Sequence, residues 1–246
     1  MRDLHHVSAG DAGQPAIVFL HGFMGSSADW RKTITALEGC YRCIAVDLPG
    51  HGASTGLQPG AYTVGGAARS LLSLLDDLGV ERPVVVGYSM GGRLALYLAL
   101  RHPDRCAGLF LESTSPGLED AGERIARRAA DEQMAARLEG GLQGFLHDWY
   151  RQPLFAPLAR DKDLLRRTIE GKTRNDPAEL AKSLHGMGTG GQPSLWEALP
   201  NLRVPALAVA GGLDEKFVGI SRRMASLNVR MRLAVVPGVA QHVDDG

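Results

Sequence analysis

The segment Val84-Val85-Val86-Gly87-Tyr88-Ser89-Met90-Gly91-Gly92 restricts the chain more than any other. A run of β-branched residues favours a strand, and Arg93-Leu94-Ala95-Leu96 opens a helical pattern directly after it. A strand that becomes a helix within so few residues must turn sharply. The turn leaves no room for side chains at Gly87 and Gly91, and it strains the backbone of Ser89. It also holds the serine hydroxyl clear of a sheet, at a helix N-terminus that favours developing negative charge.

Short apolar runs alternate with helical patterns elsewhere, which signals a mostly parallel sheet covered by helices. The strands are expected at 16–20, 43–46, 83–86, 107–111, 205–209 and 232–236, with helices near 63–79, 90–101 and 216–227. The unbroken apolar character of the strands fits burial on both faces. Residues 114–198 differ: they are helix-rich and charge-rich, with turn signals at Gly140-Gly141, Asp176-Pro177 and Gly188 to Gly191. The expected fold class is α/β, a mostly parallel central sheet flanked by helices. Its core is formed by 1–113 and 199–246, with 114–198 inserted as a helical cap. A cap over the carboxyl edge of such a sheet would help define a pocket, because open parallel sheets bind ligands there.

Composition narrows the partners. Of 246 residues, 27 are Lys or Arg and 27 are Asp or Glu, so no net field attracts nucleic acid or an anionic membrane. The first residues, Met1-Arg2-Asp3-Leu4-His5-His6, lack a secretory apolar stretch, and no run suggests a membrane span. A soluble, cytoplasmic protein is expected. Cys40 and Cys43 form a lone C-x-x-C with no second pair at zinc-like spacing, and are read as small buried apolar side chains. Nothing indicates a metal or organic cofactor.

The chemistry-bearing residues follow the strands. Ser89 is the expected central catalytic group. His21-Gly22-Phe23-Met24-Gly25 follows the strand ending at Leu20, and there a backbone N–H must approach the point that Ser89 addresses. Phe23 N–H and Met90 N–H would form the oxyanion donors. His21 is counted with the substrate-binding residues as a loop organiser rather than a general base. Asp47 to Ser54 reads as a structural loop bordering the pocket. The acid expected after the penultimate strand is Asp214, and the order Ser, Asp, His then asks for a histidine after the last strand, where His242 stands alone. In that arrangement the histidine takes the Ser89 proton and Asp214 fixes its tautomer.

Together these pieces resemble the α/β-hydrolase superfamily across essentially the whole chain. A narrower resemblance is to the 2-succinyl-6-hydroxy-2,4-cyclohexadiene-1-carboxylate synthases of menaquinone biosynthesis. It is carried by Gly87-Tyr88-Ser89-Met90-Gly91-Gly92-Arg93, by Ser115-Pro116-Gly117-Leu118 with Glu123-Arg124 and Arg127, by Asp148-Trp149-Tyr150 with Gln152-Pro153-Leu154-Phe155, and by Arg174 in Lys172-Thr173-Arg174-Asn175. The resemblance implies an elimination of pyruvate with Ser89, polarised by histidine, as the base or proton relay. It implies a small polycarboxylate substrate held by Arg93, Arg127 and Arg174, with Tyr88 and Trp149 lining the pocket. Arginine suits that task because its planar fork binds carboxylate through two parallel hydrogen bonds. Arg124 and Arg128 are assigned to a solvated helix face.

The last loop departs from the family pattern. In Pro237-Gly238-Val239-Ala240-Gln241-His242-Val243-Asp244-Asp245-Gly246, an ungapped alignment sets Gln241 in the histidine column and His242 one place late. Either a one-residue insertion restores His242 or the triad is impaired. Two other readings therefore stand beside the lyase. One is a carboxylesterase or carbon–carbon-bond hydrolase of the same fold; the other is a hydrolase-fold protein without full activity.

Overall fold

The computed structural model describes residues 4–152, 155 and 158–239. Seven strands form one sheet: β1 (His6–Ala9), β2 (Ala16–Leu20), β3 (Arg42–Val46), β4 (Val84–Tyr88), β5 (Gly108–Glu112), β6 (Ala206–Gly211) and β7 (Met231–Val236). Their order in space is β1-β3-β2-β4-β5-β6-β7. Only β1 runs antiparallel to its neighbour; every other pairing is parallel. In the register, Gly87 sits between Leu20 and Leu111, so the carboxyl ends of β2, β4 and β5 finish level.

The helices that follow the strands are α1 (Arg31–Leu37), α2 (Val64–Asp77) and α3 (Met90–Arg101) in the first half, and α8 (Glu215–Leu227) near the end. Between β5 and β6 lie four more: α4 (Ala121–Glu139), α5 (Leu142–Trp149), α6 (Lys162–Lys172) and α7 (Pro177–Met187). Sequence marks where each begins. Asp120, Asp161 and Asp176 cap α4, α6 and α7 by accepting first-turn N–H groups, and Pro177 occupies the first position of α7, where a missing N–H costs nothing.

Three expectations are corrected. Strand β1 was not foreseen, because it is short and at the sheet edge, with Val7 46% exposed, so it shows no buried face. Burial on both faces fails for β7: it pairs with β6 alone among the described residues, and Val235 and Val236 are each 41% exposed. Cys43 is buried as expected but Cys40 is exposed, lying in the turn before β3.

The core is divided. One cluster joins the sheet to α2 and α3 through residues such as Ile44, Leu71, Leu75, Leu94 and Leu111. A second belongs to the α4–α7 segment and is built on Leu138, Phe145, Leu146, Tyr150 and Leu180. Met24 enters that second cluster from the loop after β2, and Phe23 packs against both clusters. Fully buried apolar side chains of this kind each contribute a few kcal/mol. Leu138→Ala should therefore destabilise the fold by about 3 kcal/mol, read as a lower midpoint in guanidinium unfolding.

Candidate active site

Strand β4 ends at Tyr88, and Ser89 turns the chain into α3 with φ 49° and ψ −106°. Positive φ costs a non-glycine residue about 1–3 kcal/mol and persists only where the surroundings fix it. Here they do. Ser89 N–H donates to Glu112 O at 2.9 Å and Gly91 N–H donates to His21 O at 3.1 Å, so the turn is stitched to both neighbouring strands. A Cβ on Gly91 would lie 2.2 Å from Leu20 O, and one on Gly92 would lie 1.9 Å from Thr114 Oγ1.

The loop after β2 delivers its N–H groups to the same place. His21 organises it: Leu48 N–H donates to His21 Nε2 at 2.9 Å, so the proton sits on Nδ1, which donates to Gly22 O at 2.7 Å. Both ring nitrogens are used, and His21 is buried behind the cavity wall rather than in it. Of its two expected roles, the structure supports loop organisation and not ligand contact. Phe23 and Met90 line the cavity beside Ser89, and neither backbone N–H has a backbone acceptor among the described residues. The Asp47 loop is structural: its carboxylate accepts from Ser27 N, Ala53 N and His5 Nδ1. Burial would raise the Asp47 pKa, but those backbone donors outweigh it and hold the group below its ordinary value.

The cavity over Ser89 has a volume of about 740 Å³. Tyr88 and Trp149 line it as expected, with Trp149 stacked on Phe145 at 5.6 Å and edge-on to Phe23 at 6.0 Å. Arg93 and Arg127 line it as well. Burial, and then the charge of Arg127, lowers the Arg93 pKa to about 10, which leaves it protonated at neutral pH. Arg127 Nε donates to Asp131 Oδ1 at 2.7 Å. Arg128 is exposed, as expected, whereas Arg124 is half-buried, with Nη1 donating to Leu118 O at 3.0 Å and to Glu119 O at 2.6 Å.

The third cation differs. Arg174 is exposed and outside the cavity wall, whereas Lys172, at the end of α6, is buried within it. Two residues at a helix end are turned about 200° apart, so only one of the pair can face inward. Lys172 Nζ donates to Asp29 Oδ2 at 2.8 Å, tying the α4–α7 segment to the core. Sequence reading also passed over Ser113. It follows β5 with φ 45°, is buried in the cavity wall, and its hydroxyl has no hydrogen-bond partner among the described residues. Its position at a strand's carboxyl end was the available signal.

Asp214 follows β6 as expected and caps α8, with Oδ1 accepting from Phe217 N–H at 3.0 Å. Oδ2 is buried with no partner among the described residues. A buried carboxylate oxygen left open in this way suits an imidazole N–H. Gln241 and His242 lie outside the described residues, as do Pro153 and Leu154. Among the described residues no cluster of His, Cys, Asp and Glu could hold a metal ion, and no helix is long and apolar enough to cross a membrane.

Comparison with known proteins agrees with this geometry. The α/β hydrolase fold family matches residues 15–236. A 2-succinyl-6-hydroxy-2,4-cyclohexadiene-1-carboxylate synthase of Salmonella heidelberg is 35% identical over 219 residues, 88% of this chain and 84% of its own. A Bacillus subtilis relative, provisionally given the same synthase name, is 38% identical over 240 residues, 96% of this chain and 87% of its own. The chain belongs to this synthase family of α/β hydrolases. The solved structure of MenH from S. aureus superposes with a TM-score of 0.92 at 32% identity, covering 100% of this chain and 94% of that one.

Two consequences are measurable. Gly91→Ala drives a methyl group into the Leu20 carbonyl and should cost roughly 2–4 kcal/mol, with loss of function in the soluble fraction. The second concerns pH. Burial lowers the His21 pKa, and burial followed by the proximity of His21 pushes that of His51 well below its ordinary value. The unfolded chain takes up these protons below about pH 6.5, while the folded one resists them. The contribution is thus constant above that pH and is lost below it, by roughly 1.4 kcal/mol per pH unit per histidine. Unfolding at pH 7.5 and pH 5.5 should differ by roughly 2 kcal/mol, with the acidic sample less stable.

Proposed function

We propose that the chain is a lyase of menaquinone biosynthesis. It eliminates pyruvate from 2-succinyl-5-enolpyruvyl-6-hydroxy-3-cyclohexene-1-carboxylate and leaves 2-succinyl-6-hydroxy-2,4-cyclohexadiene-1-carboxylate. The observation that carries this reading is that Ser89, Arg93 and Arg127 face one cavity. A hydrolase acting on a neutral ester has no use for two arginines beside its nucleophile, whereas a substrate with several carboxylates needs fixed cations. The relatives' synthase name points the same way.

In this reading Arg93 and Arg127, with Lys172 also in the cavity wall, anchor the carboxylates and set a ring C–H against Ser89 Oγ. The serine hydroxyl gives its proton to the triad histidine, for which His242 is the candidate, and takes the ring proton. The C2–H electron pair forms the 2,3 double bond, the ring's existing 3,4 double bond shifts to 4,5, and the bond from C5 to the enolpyruvyl oxygen breaks. Pyruvate leaves as its enolate, stabilised at the Phe23 and Met90 N–H groups, and no acyl-enzyme forms. Asp214 Oδ2 holds the histidine tautomer and stabilises the imidazolium. A small-molecule partner in the cytoplasm completes the reading.

Purified protein mixed with the enolpyruvyl precursor should release pyruvate. Ser89→Ala should lower kcat by about 10²–10⁴-fold, the range for loss of a positioned proton-transfer group. Arg127→Ala should instead raise KM about tenfold or more, by loss of a charge-assisted bond. No pyruvate above background from folded protein, or equal activity in Ser89→Ala, contradicts the reading.

A further inference from the structure

Behind the two cavity arginines runs a single loop, residues 188–192, that follows α7. Arg93 Nη1 donates to Met187 O at 2.8 Å and to Gln192 Oε1 at 2.7 Å. In the same loop Gly190 N–H donates to Asp131 Oδ2 at 3.1 Å, and Asp131 Oδ1 holds Arg127. The loop is pressed onto α4: a Cβ on Gly190 would lie 2.4 Å from Arg128 N, and one on Gly188 would lie 2.6 Å from Asp131 Oδ2. Gln192 and Asp131 are 1% and 2% exposed, and neither lines the cavity. Both therefore act on a ligand only through the arginines they hold.

The two supports differ in charge. Arg127 is backed by a carboxylate, Arg93 by a neutral amide. Two guanidinium groups against one carboxylate leave a single net positive charge. Glutamate at 192 would keep the length and the acceptor, but would make the pair neutral and the cluster uncharged. The second atom of the side-chain fork has no partner whichever residue stands there. Gln192 Nε2 is buried with no partner among the described residues, and an unpaired buried donor is unfavourable. A glutamate would exchange that orphan donor for an unpaired buried carboxylate oxygen.

We infer that Gln192 is a positioning residue: its neutral amide aims the Arg93 guanidinium into the cavity from behind while leaving the positive charge unspent for a ligand carboxylate. This rests on the polycarboxylate reading of the cavity, and it specifies how that site selects charge. Arg93 keeps its remaining N–H donors for the ligand because Nη1 is already occupied by protein. A neutral acceptor orients a guanidinium without competing with the ligand for its charge.

The test uses a non-reacting tricarboxylate, propane-1,2,3-tricarboxylate, titrated calorimetrically into the whole protein, alongside the pyruvate assay. Gln192→Glu should weaken tricarboxylate binding about tenfold and raise KM similarly, with kcat changed less than about threefold. Gln192→Met removes the acceptor but leaves the charge and the Met187 anchor, and should weaken binding by only about threefold. Charge control demands that order, Glu worse than Met. A purely structural role predicts the reverse, because Glu preserves the hydrogen bond and Met does not. Binding by Gln192→Glu as tight as in the unmodified protein, or weaker binding by Gln192→Met than by Gln192→Glu, overturns the inference. So does failure of the unmodified protein to bind the tricarboxylate. If it binds the tricarboxylate but releases no pyruvate, the lyase reading fails, while the order of the two variants still decides the role of Gln192.

Discussion

Everything at the candidate site depends on how closely the backbone of β4 and α3 packs against its neighbours. Gly91 lies against the carbonyl that ends β2, and Gly92 lies against Thr114 beyond β5. No side chain fits at either place, and the chain turns there with Ser89 held at positive φ. The strain is distributed: bonds from Ser89 N–H to Glu112 and from Gly91 N–H to His21 fix the turn to the strands on both sides. A hydroxyl held this way cannot relax away from the cavity, and such preorganisation is what a proton-transfer group needs.

The same contact couples the two larger clusters of the core. His21, whose carbonyl receives Gly91 N–H, also shapes the loop carrying Phe23 and Met24. Those two side chains pack into the cluster of the α4–α7 segment, and Lys172 ties that segment back to Asp29. The helices that carry Arg127 and Trp149 to the cavity are thus seated on the loop that presents the Phe23 N–H. The charged wall is supported separately, by the loop after α7.

Much of this was legible in the sequence, for identifiable reasons. A buried parallel strand is a continuous apolar run and a sharp strand-to-helix turn demands small residues, so β4, α3 and Ser89 stood out. Chain order and strand ends located Asp214. What stayed hidden has no local signature. Strand β1 is an exposed edge with mixed residues. The resemblance pointed to Arg174, whereas the cavity cation is Lys172, and only the rotation at the end of α6 separates them. Gln192 and Asp131 act through contacts spanning 99 and 59 residues of sequence, which no motif encodes. Ser113 had only its place after β5 to mark it, and its positive φ shows in the structure alone.

The central claim is that a site built on a hydrolase elbow performs an elimination. The most direct measurement is the mass of the ring product from a single turnover of the enolpyruvyl substrate. Elimination leaves a cyclohexadiene one water lighter than the ring alcohol that hydrolysis of the enol ether would give, in equal amount with the pyruvate released. Appearance of the diene at that stoichiometry is the predicted result. Pyruvate accompanied by the ring alcohol would contradict the account and return Ser89 to hydrolysis.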